Sequence, residues 1–274
     1  MFARFLLPLL LLFAPPVLAC GEAPEPCLAA GGEYLVHVPD APGPHPALIF
    51  LHGYGGTGEG VMGQAAMVET ALARGFAVIA PQGMPRREGE KGGAWNSFAA
   101  PGRRDDVAFL GGVAEDAAAR FGLDRAHVLL AGFSGGGMMT WRVACDAPGA
   151  FAAFAPVAGL LWRPLPERCA GPFAMLHVHG WSDPVVPLEG RTVGSGQVTQ
   201  GDLFAGLALL RATLGCARDA PDAFDRKDDF QIRSWTSCAP GARLDFALWP
   251  GGHAAPAGWA ALALDWFEAL TAAD

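Results

Sequence analysis

The sequence predicts an α/β protein with a mainly parallel central sheet and helices on both of its faces. Short apolar runs alternate along the chain with segments in which apolar residues recur at helical spacing. Several of the runs are continuously apolar, which is typical of parallel strands that are buried on both faces. Hydrophobic residues make up 51% and charged residues 17% of the 274 residues, so the composition supports a large core. Because no repeat or linker interrupts the pattern, we expect a single domain over residues 20–274.

Strands and helices alternate through the N-terminal half. A first predicted strand at 33–39 alternates apolar and polar side chains. A continuous apolar strand at 47–51 leads into a glycine-rich turn and then into helical spacing over 61–74. The strand at 76–80 is again continuously apolar. After a polar loop, a helix over 105–121 begins with two aspartates, whose charge suits the positive end of the helix dipole.

The C-terminal half continues the alternation. Its predicted elements are strands at 154–159 and 174–179, a helix at 202–214, late strands at 230–235 and 244–249, and a closing helix across 259–270. Only a short segment containing Pro240 and Gly241 separates the late strands, so we expect them to pair with each other. Elements in this order favour a parallel sheet covered on both faces.

The segment between the two halves, residues 127–143, carries the strongest chemical signal. An apolar strand leads into Gly132-Phe133-Ser134-Gly135-Gly136, a G-x-S-x-G sequence, and a helical segment follows. In this strand–turn–helix context the serine occupies a sharp turn that lifts its hydroxyl clear of the sheet. We therefore predict that Ser134 is a nucleophile. The alternative is a glycine-rich turn that serves packing alone.

A serine nucleophile needs a histidine base and an acid that orients the histidine. In hydrolases built around this turn, the order along the chain is serine, acid, histidine. Of the seven histidines, only His253 lies beyond the late strands, in a glycine-rich turn where the alternative is an exposed loop histidine. Asp183 directly follows the strand at 174–179 and is the candidate acid. The other aspartates weighed for this position are interpreted as surface or structural charges: Asp202, Asp219, Asp222 and Asp245.

Two backbone N–H groups are expected to form an oxyanion hole, which stabilises the negative oxygen of a tetrahedral intermediate. One is predicted from Gly135, directly after the nucleophile. The other is predicted from Tyr54, in the glycine-rich turn at 52–56. His52 is interpreted as orienting this turn. The alternative is a flexible turn without a part in catalysis.

Aromatic residues beside the predicted strand ends indicate a substrate pocket. Trp95, Trp181 and Trp249 could line a pocket for the acyl or alcohol group, although core packing explains them almost equally well. Asn96 is a further candidate for this pocket and could order its own loop.

Two histidines share one face of the strand at 174–179. Their spacing would suit a metal ion, but hydrogen-bonded core histidines are favoured for His177 and His179 in an apolar, buried strand. We therefore expect no metal site.

The net charge and the N-terminus limit the partners and the location. With a net charge of −8 and no basic run, a nucleic-acid partner is not expected. Residues 1–19 combine Arg4, an apolar segment and a small-residue cleavage site, which together predict a cleaved signal peptide. The segment is too short and too interrupted by proline to predict stable membrane insertion. We expect a secreted or periplasmic protein, with a lipid anchor on Cys20 as the less favoured alternative.

The six cysteines are consistent with an exported protein, in which an even number of cysteines is expected to pair. Many pairings are open to six cysteines. We favour disulfides between neighbours in the sequence. These pairs are Cys20–Cys27, Cys145–Cys169 and Cys216–Cys238.

Several motifs follow one another in a characteristic order over roughly residues 33–255. They are LHGYGG, the Trp95-Asn96 loop, DDVAFL, AGFSGGGMM, FAAFAPVAG, HGWSD followed by VVP, and a final GGH. Together they resemble the polyhydroxybutyrate depolymerase and feruloyl esterase-like family of the α/β-hydrolase superfamily. The resemblance implies an α/β-hydrolase fold and a secreted serine esterase without metal or organic cofactor. It also implies Ser134 as nucleophile, Asp183 as acid and His253 as base.

The sequence departs from the family pattern at residues 97–100, at Trp181 and at residues 254–256, all near the expected substrate cleft. Small or oligomeric esters of either the hydroxyalkanoate or the feruloyl type therefore remain candidate substrates. A serine peptidase of the same fold and a non-catalytic exported binding protein are the alternative functions. No oligomeric state is predicted.

Overall fold

A central sheet of ten strands dominates the computed structural model, which describes Cys20 and residues 25–272. The predicted signal peptide, residues 1–19, lies outside the described residues. The strands are β1 (Cys27–Ala29), β2 (Gly32–His37), β3 (His45–Leu51), β4 (Ala77–Pro81), β5 (Met84–Pro85), β6 (Gly93–Ala94), β7 (Leu123–Phe133), β8 (Ala153–Val157), β9 (Ala174–Gly180), β10 (Thr192–Val193), β11 (Val198–Thr199), β12 (Ala223–Lys227), β13 (Phe230–Trp235) and β14 (Arg243–Trp249). The helices are α1 (Gly58–Met62), α2 (Ala65–Ala73), α3 (Asp106–Phe121), α4 (Gly135–Asp146), α5 (Leu203–Thr213) and α6 (Trp259–Thr271).

The middle of the large sheet is parallel, as the sequence predicts. The strand order is β1-β2-β4-β3-β7-β8-β9-β14-β13-β12. The strands from β4 to β14 in this order pair in parallel, while β1 and β2 at one edge and β12 and β13 at the other are antiparallel. Because parallel strands all end at the same edge, the loops after β3, β7, β9 and β14 meet there.

Each face of the sheet packs against its own set of helices. Successive residues of a strand face opposite sides, so Leu48 and Phe50 of β3 belong to one core, whereas Ile49 and Leu51 belong to the other. Helices α3, α4 and α5 cover the face of Ile49, and helices α1, α2 and α6 cover the face of Leu48. This is the α/β architecture with helices on both faces that the sequence predicts.

The structure differs from the prediction in its short elements. The helix expected over 61–74 is two helices, α1 and α2, because Gly63 and Gln64 interrupt the helical backbone between them. The strand β12 was not expected because its side chains are mostly exposed and polar, and it exists only by pairing with β13. The pairs β5–β6 and β10–β11 are antiparallel strands of only two residues each, inside segments without a strand pattern.

The structure contains disulfides at all of the predicted pairs. Cys20–Cys27 attaches the N-terminal segment to β1, so the Cys20 sulfur is bonded and is not free to carry lipid. Cys145–Cys169 joins the end of α4 to the segment before β9. Cys216–Cys238 joins the segment after α5 to the loop between β13 and β14.

Candidate active site

Ser134 lies at the sharp turn between β7 and α4. Its backbone has φ 55° and ψ −116°, which is uncommon for a residue with a side chain. The flanking glycines are required by close packing: a Cβ on Gly136 would lie 2.2 Å from the carbonyl oxygen of Leu51, and a Cβ on Gly132 would lie 2.6 Å from the Gly136 backbone. The G-x-S-x-G sequence therefore forms a strained turn with the serine at its apex.

The structure brings the three predicted triad residues together. The Ser134 hydroxyl donates a hydrogen bond to Nε2 of His253, with 2.9 Å between the atoms. The other ring nitrogen of His253, Nδ1, donates to Oδ2 of Asp183 over 2.7 Å. Asp183 lies in the loop after β9 and His253 in the loop after β14, two loops that meet at the same edge of the sheet. Half-buried Phe133 packs its ring 4.8 Å from the His253 imidazole, a contact that the sequence analysis missed.

The Asp183 carboxylate is buried and fully engaged. Its Oδ1 accepts hydrogen bonds from the backbone N–H groups of Val185 and Val186, each over 2.8 Å. Burial is the largest influence on its pKa and acts to raise it, but the hydrogen bonds from His253, Val186 and Val185 together lower the pKa below its ordinary value. Asp183 is therefore held as a carboxylate whose second oxygen faces His253.

The other aspartates considered from the sequence have different partners. Asp202 caps the N-terminus of α5, Asp222 accepts from backbone N–H groups of Thr236 and Ser237, and Asp219 is an exposed partner of Arg211. Asp245 is buried within β14, where it accepts hydrogen bonds from Arg243, Ser234 and Trp266. These contacts account for the charges without a part in the triad.

The predicted oxyanion-hole residues lie side by side. A Cβ on Gly135 would come within 3.1 Å of the backbone nitrogen of Tyr54, so the two backbones approach closely. Gly135 is also the first residue of α4, where backbone N–H groups are free and the helix dipole is positive. Among the described residues, neither of these N–H groups has a hydrogen-bond acceptor.

His52 holds the turn that carries Tyr54. Its Nε2 accepts a hydrogen bond from the Gly83 N–H over 3.0 Å, which leaves Nδ1–H to donate to the Gly53 carbonyl over 2.8 Å. Burial is the main cause that lowers the pKa of His52 below its ordinary value. Neutral His52 thus orients the turn, in the way the sequence analysis expects.

The four residues predicted to line a substrate pocket divide into two groups. Trp95 is only 7% exposed, and its indole N–H donates to the His52 carbonyl. Trp95 therefore stabilises the turn at residues 52–56 and does not line an open pocket. The Asn96 side chain likewise bonds within its loop, to Ala100 and Arg104. For these two residues the structure favours the packing alternative, because their polar groups are already used inside the protein.

The other two candidates lie where β9 and β14 end. Trp181 is 66% exposed, and its backbone N–H donates to the carbonyl of Trp249. Trp249 is partly buried, with its ring packed directly against the backbone of Gly251. Of the four, Trp181 therefore offers the largest exposed aromatic surface, two residues before Asp183 in the chain.

His177 and His179 are fully buried and hydrogen-bonded. The Nε2 of His177 and the Nδ1 of His179 lie 3.0 Å apart, and the remaining ring nitrogens contact Trp141 and the Val186 carbonyl. Within the described part of the chain, no cluster of three or more metal-binding side chains occurs. The arrangement is that of hydrogen-bonded core histidines.

Comparisons with known proteins agree with this fold. No family model matches the chain. The chain is 34% identical over 153 residues to an inferred esterase, NocK, of Nocardia uniformis subsp. tsuyamanensis, in a match that covers 56% of this chain and 44% of that protein. It is 31% identical over 171 residues to feruloyl esterase C of Emericella nidulans, with 58% of each protein covered. The chain thus spans about half the length of the curated relatives it matches.

The structural comparison covers more of the chain. The acetyl xylan esterase from Aspergillus awamori superimposes with a TM-score of 0.64 over 86% of this chain and 93% of that protein, at 18% identity. At this identity the likeness concerns the fold. The chain therefore has the α/β-hydrolase fold, and its sequence is similar to those of proteins named as esterases.

Proposed function

We propose that this protein is a serine esterase that hydrolyses carboxylic esters. The observation that carries the proposal is the continuous hydrogen-bonded array from Ser134 through His253 to Asp183. Three residues far apart in the sequence meet with the distances and the order that nucleophilic catalysis needs. The similarity to proteins named as esterases supports the same reaction class.

The geometry supports an acyl-enzyme mechanism. The Ser134 oxygen attacks the ester carbonyl carbon while Nε2 of His253 takes the hydroxyl proton. The negative carbonyl oxygen accepts hydrogen bonds from the N–H groups of Gly135 and Tyr54. His253 then gives its proton to the departing alcohol, and Asp183 stabilises the imidazolium throughout. Water, activated by the same histidine, attacks the acyl-enzyme and releases the acid.

Feruloyl-type esters are the substrate class we favour over hydroxyalkanoate esters. Feruloyl esterase C is the name of a curated relative that resembles this chain. The exposed ring of Trp181, in the same loop as Asp183, offers a flat surface on which an aromatic acyl group could stack, whereas a short aliphatic acyl group would gain less there.

We propose that the protein acts outside the cytoplasm. Its three disulfides would persist in an oxidising compartment and would be reduced in the cytosol. Of the helices in the described residues, none has both the length and the apolar character needed to cross a bilayer.

The test is hydrolysis of methyl ferulate, methyl p-coumarate and methyl 3-hydroxybutyrate by the disulfide-bonded protein and its Ser134→Ala variant. We expect turnover by the unchanged protein, with higher kcat/KM for the cinnamates. In Ser134→Ala, kcat should fall on the order of a million-fold, because the nucleophile is gone.

A matched control is Ser237→Ala, which removes an exposed hydroxyl in the loop between β13 and β14. This variant should keep full activity. A fluorophosphonate probe should label the unchanged protein and Ser237→Ala but not Ser134→Ala. A folded protein that neither turns over these esters nor reacts with the probe would support the non-catalytic binding alternative instead.

A further inference from the structure

A chain of buried hydrogen bonds runs from the helix of the nucleophile to the loop of the acid. It begins at Trp141 in α4, passes through His177 and His179 of β9, and ends at Val186 in the acid loop. The atom pairs are Trp141 Nε1 with His177 Nδ1 at 3.1 Å, His177 Nε2 with His179 Nδ1 at 3.0 Å, and His179 Nε2 with the Val186 carbonyl at 2.7 Å. Both histidines are 0% exposed and Trp141 is 1% exposed.

The direction of these bonds follows from the first donor. The indole N–H of Trp141 can only donate, so Nδ1 of His177 must accept and carries no proton. A neutral His177 then holds its proton on Nε2 and donates it to Nδ1 of His179. By the same reasoning, His179 holds its proton on Nε2 and donates it to the Val186 carbonyl, which can only accept. The indole N–H at one end of the chain and the Val186 carbonyl at the other thus require the same pair of tautomers.

The last bond reaches the acid of the triad. The residue whose carbonyl accepts from His179, Val186, also donates its N–H to Oδ1 of Asp183 over 2.8 Å. The Nε2 of His179 lies 3.6 Å from Oδ2 of Asp183, the oxygen that faces His253. With the other tautomer, a lone pair of His179 would face the Val186 carbonyl at 2.7 Å and would push this loop away.

Charge on His179 would also disturb the triad. A cationic His179 would compete with His253 for the same Asp183 oxygen. The titratable groups facing His179 are Asp183 and His253, and its own strand contributes His177. Burial is the main cause that lowers the pKa of both His177 and His179, so both rings are uncharged near neutral pH.

We propose that Trp141 and His177 are positioning residues that fix the tautomer of His179, which in turn holds the acid loop so that Asp183 faces His253. None of the three touches the reacting atoms. The catalytic consequence rests on the proposed function, whereas the tautomers do not depend on it.

The first experiment measures the tautomers in the uniformly 15N-labelled, disulfide-bonded protein by two-bond 1H–15N correlation of the imidazole rings. We expect His177 and His179 to be neutral with the proton on Nε2 between pH 6 and pH 8. Either ring protonated on Nδ1 alone, or on both nitrogens, in this range would overturn the proposal. This measurement needs no substrate and remains valid if the protein proves inactive.

The second experiment compares Trp141→Phe with Trp235→Phe. Both variants remove a buried indole and one N–H hydrogen bond, but the indole of Trp235 donates to the Asp219 carbonyl, outside the chain of histidines. For Trp141→Phe we expect kcat to fall about tenfold with KM little changed, roughly the effect of losing one hydrogen bond. The rate of fluorophosphonate labelling should fall in the same proportion.

For Trp235→Phe we expect wild-type kcat and labelling. Equal losses in both variants would mean that Trp141 contributes packing alone and would overturn the positioning role. If Trp141→Phe does not fold, the tautomers of the unchanged protein decide the matter, because the proposal requires both protons on Nε2.

Discussion

At the scale of single residues, Asp183, the proposed acid, is distinguished by its hydrogen bonds. Other aspartates between Ser134 and His253 cap a helix, bridge a turn or pair with arginine, whereas Asp183 uses one oxygen for two backbone donors and the other for His253. This arrangement requires that both side-chain oxygens of residue 183 accept hydrogen bonds. An uncharged amide cannot meet this requirement, since its nitrogen only donates.

The variant Asp183→Asn should therefore lose most activity without losing its shape. The amide nitrogen would either face His253 and favour the wrong tautomer or face the two backbone N–H groups and repel them. We expect kcat to fall about ten-thousand-fold with KM changed by a few-fold at most. Asp202→Asn is the control, because asparagine caps a helix as well as aspartate does, and it should keep full activity. A kcat for Asp183→Asn equal to that of the unchanged protein would show that Asp183 is not the acid of the triad.

The residues of the site differ in how far the sequence predicts them. Ser134, Asp183 and His253 follow from a motif and from the order of elements, and the structure brings them together. The orientation of Trp95 could not be predicted, because it depends on a buried carbonyl that only the folded turn supplies. The packing of Phe133 on His253 had one available signal, the position of Phe133 directly before Ser134 in the turn.

At the scale of elements, continuous apolar runs predict most of the parallel strands. Strands β3, β4, β8 and β9 are almost fully buried, so every position in them carries the signal. The strands that were missed, such as β12, are exposed on most positions and are stabilised by pairing with a neighbour. Pairing of this kind involves the backbone and leaves little trace in the sequence.

Helix α3 offers an element-scale prediction through its two adjacent glycines. A Cβ on Gly111 would meet no heavy atom within 4 Å, whereas a Cβ on Gly112 would lie 2.5 Å from the Cβ of Ala30 in the turn between β1 and β2. Gly111→Ala should raise the free energy of unfolding by about 1 kcal/mol, since alanine is the better helix former. Gly112→Ala should lower it by about 1–3 kcal/mol through overpacking.

Urea unfolding of both variants measures the difference directly. The two substitutions are chemically identical and lie one residue apart in the same helix, so each is the control for the other. Equal effects on the unfolding midpoint would show that α3 does not pack on the turn at Ala30 in the way the structure has it.

At the scale of the whole molecule, the parallel sheet explains how such distant residues form one site. Ser134 and His253 are 119 residues apart, and Asp183 and His253 are 70 apart, yet each follows a strand that ends at the same edge. The sequence predicts this convergence because strand direction follows from the alternation of strands and helices. Neither the apolar pattern nor a motif shows how deeply each side chain is buried. The depth of burial affects the pKa of a titratable side chain and therefore its charge at a given pH.

Three buried histidines should couple the stability of the whole protein to pH. Burial is the main cause that lowers the pKa of His52, His177 and His179 in the folded protein. In the unfolded chain these rings take up protons below about pH 6.5, so the unfolded state binds more protons and stability must fall as the pH drops. The slope should reach about 1.4 kcal/mol per pH unit for each histidine.

The measurement is the free energy of unfolding in urea at intervals from pH 7.5 down to pH 4.5. Asp183 contributes at lower pH, because its lowered pKa makes its stabilisation present above about pH 4 and lost only below. The interval above pH 4.5 thus isolates the histidines. His52→Gln removes one titrating ring and should reduce the slope by about one third. A free energy that stays constant between pH 7.5 and pH 4.5 would contradict the prediction, because buried neutral histidines cannot avoid this linkage.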